Sequence, residues 1–161
     1  MSKVQTVSTT ASDPTVAAAA AQFLSPVVLG LQALTINGKQ AHWHVRGANF
    51  VGVHELLDTI VAHAGDFADT AAERIVALGL PIDARVSAVA AKAGETGVPA
   101  GFTQSDELVR AVIADIDAIL VDTKAAIDGL DEVDLTSQDV AIEIARGLEK
   151  DRWFLVSHVA A

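Results

Sequence analysis

The 161-residue sequence contains no cysteine. That excludes a disulfide framework, a thiolate metal site and a thiol nucleophile, and it suits a reducing compartment. Tyrosine is absent too, and aromatic residues make up only 4% of the chain. Leu, Ile, Val and Ala must therefore fill the core. Positive charge is scarce: 11 Lys and Arg stand against 21 Asp and Glu, a formal net charge of −10. A surface of that sign repels nucleic acid and attracts cations, although a merely well-solvated surface has the same composition. No basic start followed by an apolar run marks a secretory signal, and the Ala run at 17–21 is too short to span a membrane. The expected location is cytoplasmic, with no membrane partner.

What is present is helical punctuation. Residues 1–13 read as a flexible polar tail with one lysine, and 14–161 as a single domain. Asp13-Pro14 supplies an N-cap followed by proline at the first helical position. A helical pattern continues to about Val45, with Ser25-Pro26 expected as a kink or a second helix start. Arg46 to Gly52 reads as a tight connection through Gly47 and Asn49. A second helix is expected from about Val53 to Leu78, ended by Gly79-Leu80-Pro81. Residues 83–93 suggest a short helix and Gly94 to Gly101 a loop. A third long helix spans about Ser105 to Gly129. After the acidic stretch Asp128 to Asp134, Thr136-Ser137-Gln138-Asp139 resembles a capping box opening a last helix that runs to near His158. No segment alternates in the manner of a sheet. The expectation is an all-α four-helix bundle with a short extra helix in its middle connection.

The second helix carries a pattern. His54 and Asp58 are four residues apart, as are Asp69 and Glu73, so each pair shares a helical face. Positions 54, 58, 62, 65, 69 and 73 fall within about 100° of arc. The stripe holds a His, three carboxylates and, at its middle, Ala62 and Gly65. Each pair alone is equally consistent with solvated surface residues, and Arg74 is placed to offset the repulsion at Glu73.

The separation of the two pairs is more informative. His54 and Glu73 lie about 28 Å apart along one helix, and Asp58 and Asp69 about 16 Å. One copy cannot bring both pairs to one metal. Both 54/73 and 58/69 are centred near position 63.5, so an antiparallel two-fold pair of helices sets His54 opposite Glu73 of the second copy and Asp58 opposite its Asp69. The small residues Ala62 and Gly65 let the helices approach at the axis. His42 flanks the Arg46–Gly52 turn about as far on one side as His54 does on the other, which should bring the two together. A mixed imidazole and carboxylate set suits ferrous iron, manganese or zinc. His44, two residues from His42, should point elsewhere, and His63 lies off the stripe as a structural or exposed residue.

The run Lys39-Gln40-Ala41-His42-Trp43-His44-Val45-Arg46-Gly47-Ala48-Asn49-Phe50, continued by Val53-His54-Glu55-Leu56-Leu57-Asp58 and Asp69-Thr70-Ala71-Ala72-Glu73-Arg74-Ile75, resembles the signature of the Dps family (DNA-binding protein from starved cells), the mini-ferritins of the ferritin-like superfamily. Leu148-Glu149-Lys150 and Trp153-Phe154 extend the likeness to nearly the whole chain. The resemblance implies a ferritin-like bundle assembling from two-fold dimers into a hollow homododecamer. It implies ferroxidase sites at dimer interfaces, each able to take two iron ions: His42, His54 and Asp58 from one subunit, Asp69 and Glu73 from the other. It further implies oxidation of Fe(II) to Fe(III) by hydrogen peroxide or oxygen, storage of ferric mineral in the cage and protection against oxidative stress. Trp43 stands where the family has an aromatic beside the site, for packing or radical quenching. Asp131, Asp134 and Asp139, in and after the acidic stretch, are candidates for an iron-entry pore at the three-fold axis, with a solvated loop as the alternative.

The Glu-x-x-His pairs of larger ferritins are absent, which argues against a di-iron centre within one subunit. The lysine-rich tail of the family's DNA binders is absent too, so DNA binding and nucleoid association by that route are doubtful. Two other readings stay open: a nucleoid-coating protein, and a structural or adhesive cage with an incidental metal site.

Overall fold

The computed structural model describes residues 13–160, so the expected tail at 1–13 lies, apart from Asp13, outside the described residues. Helix α1 spans Pro14–His44, strand β1 Val45–Arg46, α2 Phe50–Ala77, α3 Val86–Ala93, β2 Thr103–Gln104, α4 Ser105–Leu130 and α5 Leu135–Val159. Four long helices form the bundle, and α3 interrupts the connection between its halves. Extensive contacts join α1 to α2, α4 to α5 and α1 to α4, while α2 and α5 meet over a smaller area.

Local sequence explains most boundaries. Asp13 accepts a hydrogen bond from the Thr15 N–H at 2.7 Å, capping α1 ahead of Pro14. Pro26 does not break the helix, contrary to one sequence expectation. It removes a single backbone donor, and the neighbouring Ser25 hydroxyl donates to the Ala21 carbonyl at 2.5 Å. Gly47 (φ 96°) and Asn49 (φ 56°) supply the left-handed geometry that turns the chain into α2. That turn is tighter than expected, so α2 starts three residues early, at Phe50. At its far end Gly79 (φ 96°) and the Leu80 N–H, bonded to the Ile75 carbonyl at 3.4 Å, close the helix as the Gly-Leu-Pro signal implies.

Two further features differ from the expectations above. Helix α5 is capped by Asp134, whose side chain accepts from the Ser137 N–H at 3.3 Å, so the expected box at Thr136 lies inside the helix. The second difference is a two-residue parallel bridge pairing Val45 with Thr103 and Arg46 with Gln104. Two residues are too few to show alternation, which is why the sequence gives no sign of it. The bridge ties the end of α1 to the start of α4, and the Arg46 guanidinium lies 3.3 Å over the Phe102 ring.

The core is aliphatic, as the shortage of aromatics requires. Leu24, Leu31 and Leu34 of α1 meet Leu57, Ile60 and Ile75 of α2, and Ile116, Leu130, Ile144 and Leu148 complete it from α4 and α5. Two phenylalanines pack where glycine leaves room: a Cβ at Gly129 would invade the Phe23 ring, and one at Gly147 the Phe67 ring. Two polar joints reinforce the thinner α2–α5 contact. Arg74 reaches Asp134 at 2.7 Å and Ser137 at 2.9 Å. His63 bonds both oxygens of Asp151 at 3.0 Å. Asp151 is only 1% exposed, and burial pushes its carboxyl above the ordinary range, partly offset by His63.

Two outcomes follow for stability. Gly129→Ala should lower the urea unfolding free energy by about 1–3 kcal/mol through overpacking against Phe23. Gly101→Ala, whose Cβ would meet nothing within 4 Å, should leave it unchanged. His63→Ala should cost about 1–2 kcal/mol at pH 7 by leaving the Asp151 carboxylate short of a donor. Because the folded Asp151 carboxyl lies above its unfolded value, its ionisation opposes folding as pH rises through that window. The loss should therefore shrink near pH 4, and an equal loss at both values would contradict this account.

Candidate metal centre

His42 is buried in the last turn of α1 and His54 half-buried in the second turn of α2. The hairpin brings their rings face to face, with centroids 3.7 Å apart and planes inclined by 22°. Each Nδ1–H donates to the other residue's backbone carbonyl, His42 to His54 at 2.8 Å and His54 to His42 at 2.9 Å. A carbonyl carries no proton, so both Nδ1 atoms must be the donors. In the neutral rings this leaves the Nε2 lone pairs as the metal-binding positions, with orientation fixed from behind as in metal-ligating histidines generally.

Asp58 lies one helical turn beyond His54, with an oxygen 3.8 Å from His42 Nδ1. Its partner is Lys39, whose ammonium donates directly to Oδ1. The pairing crosses from α1 to α2 and depends on how the two helices are set. The Lys39 hydrogen bond holds the Asp58 carboxyl below the ordinary range against desolvation, and the Lys39 charge adds to it. A cation therefore already stands at this carboxylate.

Asp69 and Glu73 lie farther along α2, exposed and without an ion pair among the described residues. Arg74, expected to soften their repulsion, turns instead to Asp134 and Ser137. Among the described residues no three His, Asp or Glu side chains of one chain come together as a metal-binding group. The structure thus brings His42, His54 and Asp58 to one end of α2 and leaves Asp69 and Glu73 at the other. Between them the same face is open: Ala62 is exposed, and a Cβ at Gly65 would meet nothing within 4 Å.

The remaining candidates sort as follows. His44 Nδ1 donates to the Gln40 carbonyl at 2.8 Å, away from the pair. Trp43, beside His42 in sequence, points outward and is 63% exposed. Of the acidic residues after α4, Asp134 is committed to capping α5 and to Arg74. Asp131 accepts from Gln138 at 3.3 Å, and Asp139 is exposed on α5.

The ferritin-like domain family matches residues 30–161. A DNA protection during starvation protein of Agrobacterium fabrum is 35% identical over 127 residues, covering 78% of each chain. Among solved structures, Dps from Microbacterium arborescens in a high iron form is 69% identical, with a TM-score of 0.93 over 96% of this chain and 100% of the other. Dps from Mycobacterium smegmatis is 28% identical, with a TM-score of 0.88 over 97% and 96%. The chain belongs to the Dps family of the ferritin-like superfamily. Membership accounts for the bundle with its short middle helix and agrees with the resemblance carried by the His42–Asp58 and Asp69–Ile75 motifs. Further relatives are DNA protection during starvation protein 2 of Deinococcus radiodurans, 28% identical, and general stress protein 20U of Bacillus subtilis, 29% identical.

Breaking the Lys39 contact gives a direct reading of the local field. In Lys39→Ala the Asp58 carboxyl should titrate at higher pH than in the parent chain, measured by carbon-detected NMR on metal-free protein. The folded Asp58 value is depressed, so the pair's contribution is present above the unfolded value and lost as pH falls through the folded one. An unchanged midpoint would show that Lys39 does not lower the Asp58 titration.

Proposed function

We propose that the chain is a ferroxidase and iron store: it binds Fe(II) between two subunits, oxidises it to Fe(III) and retains the ferric product in a hollow dodecamer. The observation that carries this reading is the separation of one donor set into two halves on a single open face of α2. The His42 and His54 imidazoles and Asp58 lie at one end, with Asp69 and Glu73, unpaired among the described residues, at the other. An antiparallel two-fold pairing about Ala62 and Gly65 joins the ends and makes two equivalent sites per dimer. The likeness to a Dps with a structure in the high iron form supports iron as the substrate.

Each part has a task. Neutral imidazoles and carboxylates favour a divalent first-row cation, and iron among these is redox-active. The Nδ1 hydrogen bonds keep the rings oriented at no further entropic cost when iron arrives. Asp58, a carboxylate paired with Lys39, can bind a cation in place of the ammonium. Two Fe(II) ions supply the two electrons that reduce one hydrogen peroxide to two hydroxide ions, each iron leaving as Fe(III); oxygen is the other candidate oxidant. This consumes both reactants of hydroxyl-radical chemistry. Asp131 and Asp139 remain candidates for guiding iron through a three-fold pore, whereas Asp134 would have to give up its cap to do so.

DNA protection in this reading is chemical. A net charge of −10 disfavours coating of the phosphate backbone. Nothing observed in the fold favours the adhesive-cage reading over this one.

Stopped-flow absorbance after anaerobic Fe(II) loading and peroxide addition tests the site. His54→Ala and Asp69→Ala should each lose ferric formation. Co-assembled from equal amounts of both variants, the protein should regain roughly a quarter of parental activity, because half the dimers are mixed and each holds one intact site of two. No recovery would sink the shared site. Gly65→Leu should weaken both dimerisation and oxidation; full retention of both would place the axis elsewhere. Tight DNA binding at moderate salt in a shift assay would overturn the chemical view of protection.

A further inference from the structure

A cavity of about 360 Å³ lies between α1, α3 and α4, and none of His42, His54, Asp58, Asp69 or Glu73 lines it. Four small residues, Gly30, Ala33, Ala93 and Ala118, leave the space, and Leu34 and Ile119 add to its apolar walls. The volume falls at the lower end of the range for small-molecule sites, about 300–1000 Å³.

Asp115 sets its chemistry. The Thr96 hydroxyl donates to Asp115 Oδ2 at 3.0 Å and the Asn37 amide to the same oxygen at 3.4 Å. Both donors are neutral, and both use Oδ2. The second oxygen, Oδ1, receives no hydrogen bond from the described residues. The one cation on the lining, Lys92, is paired with Asp122 at 2.8 Å. The cavity thus holds two carboxylates against one ammonium, and the uncompensated charge sits among apolar walls. Burial pushes the Asp115 carboxyl above the ordinary range, with the two hydrogen bonds pulling the other way. A purely structural joint between α1, the loop after α3 and α4 needs only Oδ2. That joint leaves Oδ1 solvent-accessible beside the apolar walls of the cavity.

We infer that this cavity is a binding site for a small aliphatic ammonium compound, its charged head on Asp115 Oδ1 and its hydrocarbon part along the small residues of α1 and α4. An anionic or neutral compound of the same size would face an unpaired carboxylate and gain nothing there. Occupancy requires ionised Asp115, so affinity should fall as pH drops through its titration; Lys92 and Asp122 are the other charged groups lining the cavity.

The test uses n-hexylammonium as probe on the assembled full-length protein, by titration calorimetry and by saturable amide shifts in NMR. The parent protein should bind it with a dissociation constant on the order of 10⁻⁴ M. Hexanol and hexanoate should bind at least tenfold more weakly. Asp115→Asn, close to the same shape, should lose at least tenfold in affinity. Ala118→Leu, which fills the chamber from an exposed helix position, should abolish binding. Peroxide-driven iron oxidation should be unchanged in both variants. No saturable binding by the parent, equal binding of the three probes, or undiminished binding by Asp115→Asn would each overturn the inference.

Discussion

The exchange of hydrogen bonds between His42 and His54 is the constraint on which the functional end of the bundle depends. A helix leaves its last carbonyls without partners. In α1 the Ala41 carbonyl is satisfied by the Val45 N–H, and the His42 carbonyl is taken by the His54 ring. The return bond runs from the His42 ring to the His54 carbonyl. Two groups that could become metal ligands therefore also fasten one helix end to the next helix start. The parallel bridge begins at the very next position, Val45. Helix registry, ring tautomer and ring orientation are set by one pair of contacts, so the donor nitrogens are in place whenever the hairpin is folded.

Much of this was legible because it is local. Helical periodicity, the Asp13-Pro14 start, the Gly79 stop and the small–polar stripe on α2 are written within a few residues of one another. The meeting of His42 and His54 follows from their even distance about a short turn. What the sequence did not disclose are choices among partners across the bundle. Lys39 pairs with Asp58, on the next helix. Arg74 stood beside Glu73 yet reached the cap of α5. His63 and Asp151 are 88 residues apart, and nothing near either announces the other. The shift of the α5 cap from Thr136 to Asp134 has the same origin. Ser137 and Arg74 both converge on Asp134, so the local cap also receives a side chain from another helix.

The distribution of charge compensation is also instructive. The buried or half-buried acids of the bundle have donors: Asp151 has His63, Asp134 has Arg74 and Ser137, Asp122 has Lys92. On the open face of α2 the pattern changes. Asp58 is balanced by one mobile ammonium, and Asp69 and Glu73 by nothing in the described chain. Folding alone does not require that arrangement, since an exposed carboxylate costs little in water. Bringing two such faces together does create a cost. An antiparallel pair of α2 helices would concentrate six carboxylates along a narrow seam as water is displaced from it, and like charges repel more strongly as the local dielectric falls.

Cations binding within the seam would relieve that repulsion. Dimer geometry and metal binding are then parts of one free-energy balance. The closer Ala62 and Gly65 allow the backbones to come, the greater the repulsion without metal and the stronger the attraction for it. Lys39 moderates the first half of this balance. By lying against Asp58 it neutralises one carboxylate per subunit before any iron arrives, so a dimer could close in the empty state. An ammonium with a long flexible stem suits this task, because it can withdraw when a divalent ion competes. Arg74 would suit it poorly even if it were free, since a planar guanidinium held by two acceptors is harder to displace. Its commitment to Asp134 and Ser137 instead fixes the far end of α2 against α5 and leaves Glu73 with its charge available to a second chain.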